Sequence, residues 1–195
     1  MITIQEVVSA CWIIFLLYWF ISARSLKPIQ ETSGWLGGNW YPILYLIGVL
    51  FMINLRFLGR LGIPRDKLAI PLLPHTIILN IMIVILLGTG LMVAITARRT
   101  LARNWSGAVA LKEDHELITA GLYQYIRHPI YTGMLLMILG TALSFATLGA
   151  CIGFLIILMG VLLKLKQEEA LLTKHFAQDY LSYKKRTRTL IPFIW

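Results

Sequence analysis

The chain alternates between long apolar runs and short polar or basic breaks. A helix that crosses a membrane needs about 20 mostly apolar residues. Five segments approach that pattern: residues 4–21, 40–57, 72–97, 130–145 and 148–163. The first has no basic lead and no Ala-x-Ala site, so it predicts a span and not a cleaved signal peptide. The second is flanked by Trp35, Trp40 and Tyr41, which suit an interfacial aromatic belt, and Asn54 and Arg56 lie near its end, where arginine can snorkel. The third stops at Arg98 and Arg99. Almost nothing separates the last two, which predicts a tight helical hairpin. Gly133, Gly140, Gly160 and the pair Gly149 and Gly153 are small enough to let backbones approach closely there. In the tail, residues 164–195, Leu172, Phe176 and Tyr180 recur at helical spacing. They predict a helix lying on the membrane or on the bundle, ended by Pro192.

Composition turns this pattern into a class. Of 195 residues, 58% are hydrophobic and only 14% charged, against about 25% charged in an ordinary soluble domain. Lipid must take the place of water around that much apolar surface. The expected fold is therefore all-α, a polytopic integral membrane helix bundle of about five transmembrane helices. Cys11 and Cys151 both fall inside apolar runs without a CxxC or metal-ligand spacing, and read as packing residues. The net charge of +9 is uneven, with twelve of the eighteen Lys and Arg residues between Arg98 and Arg188. In so apolar a chain this is the positive-inside bias and contact with anionic lipid, not nucleic-acid binding. The expected topology puts both basic segments in the cytoplasm and the N-terminus outside. Arg60, Arg65 and Lys67 fit that arrangement poorly.

The hairpin has a geometric consequence. It brings its start, near His128, beside its end, near Glu168, at one membrane face. On spacing alone, Glu168-Glu169 reads either as functional carboxylates, since charges next to lipid are costly, or as surface partners of Lys164 and Lys166. His128-Pro129 reads equally as a site or as a helix-entry turn, because proline suits the first helical turn. Gly88-Thr89-Gly90 lies inside an apolar run with no preceding strand, so it fails the context of a dinucleotide fingerprint. No metal-ligand cluster is visible in the sequence.

Gly121-Leu122-Tyr123, Arg127-His128-Pro129-Ile130-Tyr131-Thr132-Gly133, Glu168-Glu169 and the stretch from Tyr180 to Arg186, with Ile191-Pro192-Phe193-Ile194, resemble the isoprenylcysteine carboxyl methyltransferase family. The resemblance covers roughly residues 100–195. It divides the chain into three N-terminal spans, 1–99, and a catalytic region, 100–195, and suggests a short prokaryotic member without the extra N-terminal helices of eukaryotic relatives. It implies S-adenosylmethionine as cofactor, S-adenosylhomocysteine as product, and a cofactor pocket facing the cytoplasm. Cofactor positions carried over are His115, Glu116, Leu117, Ile118, Tyr123, His128, Pro129, Ile130, Tyr131, Glu168 and Glu169. Lys164 stands where the family has a substrate-contacting arginine; it keeps the charge but not the bidentate fork. Catalytic positions expected from the resemblance are Glu168, Lys164 and Arg186. The implied partners are a lipophilic, prenyl or lipid acceptor and membrane lipids, with no nucleic acid and no metal.

Methylation of a carboxylate needs no general base, because the acceptor is already ionised at neutral pH. An amine acceptor arrives protonated and needs one. The absence of an unambiguous base favours a carboxylate. Three alternatives remain at this level: a phospholipid N-methyltransferase, an NADPH-dependent membrane reductase of a sterol-like lipid, and a non-catalytic transporter or assembly factor. The last predicts a polar site at the membrane midplane, whereas the charges here gather at one face.

Overall fold

The computed structural model describes residues 2–25, 27–32, 40–53, 62 and 65–192. Trp35, Asn54, Arg56, Arg60, Phe193 and Ile194 lie outside the described residues, as does the side chain of Arg65. The elements in order are α1 (Ile4–Ser22), β1 (Ile29–Thr32), α2 (Tyr41–Met52), the single turn α3 (Arg65–Leu68), α4 (Ile77–Leu101), β2 (Ala110–Lys112), α5 (Pro129–Phe145) and α6 (Leu148–Arg186). Three of them, α1, α4 and α6, are long and apolar enough to cross a membrane; α2 and α5 are shorter apolar helices. Ile13, Leu16, Leu17 and Phe20 on α1, with Ile81, Ile85 and Met92 on α4, are exposed on the outside of the bundle. Such a surface belongs in lipid.

Local chemistry sets the helix ends. Thr3 starts α1 with a capping box to Glu6, which satisfies amides that have no intrahelical partner. Thr76 caps α4 and Thr147 caps α6 through their hydroxyls. The α4 helix begins at Ile77 rather than at residue 72, because Pro71 and Pro74 cannot continue a helix. It also runs past the arginines expected to stop it. Arg98 is 2% exposed, donates to the carbonyl of Ser22 at 2.8 Å and lies over the Trp105 ring at 4.8 Å. A cation placed this way is buried yet bonded, so the helix can carry it inward.

The hairpin forms, and its arms share core contacts of Ile138 and Ala142 with Ala150 and Ile157, but each arm packs more closely on another helix. Ala146, in the left-handed region with φ 51°, makes the reversal. Beyond it, α5 packs on α4 and α6 packs on α2. The glycines serve those partners. A Cβ on Gly133 would stand 2.5 Å from the Gly90 carbonyl oxygen and 2.6 Å from the Ala94 nitrogen. A Cβ on Gly153 would overlap the Gly48 carbonyl oxygen. Backbones in such contact cannot yield, so only glycine fits.

The expected separate tail helix is instead the continuation of the last span. α6 runs unbroken from Leu148 to a kink at Ala177, where φ is 43°, and ends at Arg186 rather than at Pro192. It ends there because residues 187–189 turn back to pair with residues 125–128. The sequence pattern also missed a small antiparallel pair, β1 with β2, which closes the polar face.

Two contacts define the two faces of the bundle. Gln5, at the start of α1, donates to the Ser144 carbonyl near the end of α5 at 3.1 Å. At the opposite face, the ends of α1 and α4 meet through Ser22 and Arg98. The second face also carries the β pair, the entry of α5 and the polar half of α6.

Candidate active site

Pro129 starts α5 at a position where a missing amide costs nothing. The residues before it are held in place by the C-terminal segment. The Arg127 amide donates to the Arg188 carbonyl at 2.7 Å, and the His128 amide donates to the Thr189 carbonyl at 3.1 Å. The Arg127 guanidinium then spreads over several partners. Nε donates to Glu169 Oε1 at 2.7 Å, Nη1 to the Thr187 carbonyl at 2.8 Å and Nη2 to Thr189 Oγ1 at 2.9 Å. Lys184 Nζ adds a second cation to Glu169 at 2.7 Å. Glu169 lies past the apolar stretch of α6. Burial pushes its carboxyl up, but the close donors of Lys184 and Arg127 outweigh this and hold it well below the usual carboxylate range. Glu169 is thus a structural anion that ties α6 to the entry of α5.

Glu168 sits one residue earlier, about 100° around the helix, and faces a cavity. Its Oε1 accepts from the Tyr131 hydroxyl at 2.6 Å, with Lys164 Nζ 3.9 Å away. Its Oε2 is 3.7 Å from His128 Nδ1. His128 Nε2 is 3.5 Å from Glu169 Oε1, too long for a well-formed hydrogen bond.

The cavity, about 330 Å³, is roofed by residues 104–108, Ala110 and residues 115–118. Of the positions singled out in the sequence, His115, Glu116, Leu117, Ile118, Tyr123, His128, Ile130, Tyr131, Lys164 and Glu168 line it. Three do not. Pro129 is buried behind the start of α5, and Glu169 is turned toward Arg127. Arg186, the last residue of α6, is exposed and borders a separate shallow depression with Tyr125, Lys185 and Arg188. Tyr180 and Tyr183, earlier on α6, do line the cavity.

Sequence reasoning left out several lining residues. Tyr180 and Tyr183 stood within the tail motif, and their i, i+3 spacing marks one helix face. Tyr45 of α2 and Phe15 and Trp19 of α1 carried no signal, because nothing in the sequence tells which side of an apolar helix faces a cavity. Phe15, Trp19 and Met134 make one end of the cavity apolar.

Buried polar atoms without a partner gather here. Tyr45 Oη, Asn104 Oδ1, His128 Nε2 and Tyr180 Oη all lack a hydrogen bond, and all four residues line the cavity. Each such group costs roughly 1–3 kcal/mol while unsatisfied, so these four atoms offer hydrogen bonds to a polar ligand. Among the described residues, no three metal-ligating side chains come together. His115 in the roof accepts from the Lys112 amide at 3.4 Å. Burial, then the neighbouring His175, Lys27 and Lys112, hold its imidazole down at about 4, so it is neutral at physiological pH.

The chain is similar to known proteins in sequence and in fold. A family model, the isoprenylcysteine carboxyl methyltransferase (ICMT) family, matches residues 79–174. Protein-S-isoprenylcysteine O-methyltransferase B of Arabidopsis thaliana is 29% identical over 102 residues, 51% of this chain and 52% of that protein. The protein-S-isoprenylcysteine O-methyltransferase of Schizosaccharomyces pombe is 34% identical over 95 residues, 47% of this chain and 40% of that protein. The chain thus spans about half or less of the curated relatives it matches. A solved structure of the eukaryotic intramembrane Ras methyltransferase ICMT superposes with a TM-score of 0.52 at 25% identity, covering 80% of this chain and 53% of that one. With its apolar helices and its fold, the chain is an integral membrane protein, and over residues 79–174 it is similar to the isoprenylcysteine carboxyl methyltransferase family.

Proposed function

We propose that the chain is a membrane methyltransferase that takes S-adenosylmethionine as methyl donor and esterifies the carboxylate of a lipophilic, prenylcysteine-like acceptor. The observation that carries this reading is the Glu168 carboxylate, fixed by Tyr131 at 2.6 Å, in a cavity whose wall also holds four unpartnered buried polar groups. The residues fit such a donor. Glu168 receives its ammonium group. The neutral His115 ring and the Tyr123 ring offer flat faces for the adenine, and the free Tyr180 hydroxyl offers a donor to its carboxylate or ribose. When bound, S-adenosylmethionine supplies an electrophilic methyl group: a carboxylate oxygen forms the new C–O bond while the C–S bond breaks and its electron pair stays on sulfur.

No proton moves in that exchange, so the protein needs no base. Its residues align donor and acceptor and keep water out. Phe15, Trp19 and Met134 form the dry end of the cavity, next to lipid-exposed Leu16 and Phe20, where an apolar tail enters. The acceptor is a prenylated protein or a smaller prenyl thioether, as the names of the relatives suggest. The polar face carries most of the basic residues and faces the cytoplasm, and the host is a prokaryotic cell membrane.

Titration calorimetry on detergent-purified protein tests this. S-adenosylhomocysteine binds, NADPH does not, and Glu168→Ala weakens binding at least about tenfold, roughly 1.4 kcal/mol. Wild-type affinity in that variant sinks the assignment of Glu168, and NADPH binding without S-adenosylhomocysteine binding sinks the methyltransferase reading.

A further inference from the structure

The half of the chain outside the family match contributes a polar group to the site. Tyr45 lies on α2, before residues 79–174. Its ring is held by the neighbouring Tyr41 ring at 5.9 Å and by Gly160, where a Cβ would stand 2.8 Å from it. Its hydroxyl oxygen is buried and has no hydrogen-bond partner, yet the residue lines the cavity within electrostatic reach of Glu168 and Tyr41. Close by, Lys164 Nζ lies over the faces of Tyr41 and Tyr131 at 5.2 and 5.4 Å. It spends one of its three donors on the Gly107 carbonyl at 2.6 Å, and others remain.

We propose that the Tyr45 hydroxyl donates to the head group of the methyl acceptor beside Lys164, the substrate position that the family resemblance already implies, so that α2 shares in selecting a carboxylate. The inference rests on the methyltransferase reading and deepens it. A carboxylate has two acceptor oxygens and no donor. The pair offers a hydroxyl donor and an ammonium, one from each of two packed helices, and Lys164 offsets the repulsion from Glu168. An ammonium head, the form an amine takes at neutral pH, offers no acceptor to these donors and is repelled by the Lys164 cation. The acceptor class is therefore set by α2 as well as by the matched half. Sequence could not bring out Tyr45, because α2 reads as a plain apolar run.

The test uses protein saturated with S-adenosylhomocysteine in detergent, titrated with S-farnesylcysteine and with its methyl ester. The wild-type protein binds the acid at least about tenfold more tightly than the ester. Tyr45→Phe keeps the ring on Gly160 and therefore the thermal midpoint; it weakens acid binding about five- to tenfold, leaves ester binding unchanged and keeps S-adenosylhomocysteine affinity within about twofold. Lys164→Met also loses the preference for the acid. The inference is overturned if Tyr45→Phe retains the full acid preference, if the wild-type protein shows none, or if Tyr45→Phe weakens S-adenosylhomocysteine to the same degree as the acid. Failure of the wild-type protein to bind S-adenosylhomocysteine at all marks a different failure, that of the methyltransferase reading itself.

Discussion

Glu168 and Glu169 are adjacent in the chain and opposite in role. Helical rotation separates them: Glu168 points into the cavity against Tyr131, while Glu169 is gripped by Arg127 and Lys184. Each needs a different environment, because a carboxylate for binding must keep lone pairs free, whereas a structural one is best fully paired. The titration behaviour of the polar face follows from two groups. Glu169 is held below its ordinary value, so its stabilisation is complete above about 4.5, the unfolded value, and is lost only in stronger acid. His115 is also lowered, to about 4. Between its unfolded value near 6.5 and that folded value, the unfolded chain binds the proton more readily, so stability falls as pH falls through this window. The thermal midpoint in detergent should therefore drop between pH 7 and pH 5, and His115→Asn should flatten the drop. A midpoint equally pH-dependent in that variant contradicts the neutral, buried imidazole.

At the scale of elements, two close helix pairs carry the bundle. Gly90 and Gly133 join α4 to α5, and Gly48 and Gly153 join α2 to α6. Lipid gives apolar side chains no hydrophobic reason to leave it, so close packing must hold these helices together. Gly133→Ala or Gly153→Ala forces backbones apart and should cost about 1–3 kcal/mol, read as a lower thermal midpoint. Gly88, on the same helix as Gly90, has no atom near its missing Cβ. Gly88→Ala should be neutral or stabilising, by up to about 1 kcal/mol from helix propensity. Equal effects at positions 88 and 133 would mean that the close approach is not what the glycine provides.

Across the whole molecule, the polar groups converge on one face. α1 and α4 both end there, α5 begins there, and α6 passes through it with Lys164, Glu168 and Glu169. This requires the first residues of α1 to lie at the opposite face. On a background with Cys11→Ser and Cys151→Ser, a single cysteine at Glu113 should react with an impermeant maleimide only from the cytoplasmic side, and one at Ile2 only from the other. Labelling of both from one side refutes the proposed orientation.

The membrane class, the approximate positions of the apolar helices and the meeting of His128 with Glu168 were legible in the sequence, because each depends on composition or on local connectivity. A run of apolar residues needs no partner to be recognised, and a two-residue turn between two of them dictates which ends meet. The glycines were legible as small residues, but their partners were not. They join α5 to α4 and α6 to α2, a choice made by long-range packing. The same holds within the site. Residues 115–118, Tyr123 and Tyr131 stood in motifs, whereas the Arg127 network depends on the return of residues 187–189, and Tyr45 depends on which face α2 turns to α6. Hydrophobicity alone determines that a helix enters lipid; tertiary packing decides which of its faces lines a cavity, since every face of such a helix is apolar enough for either role.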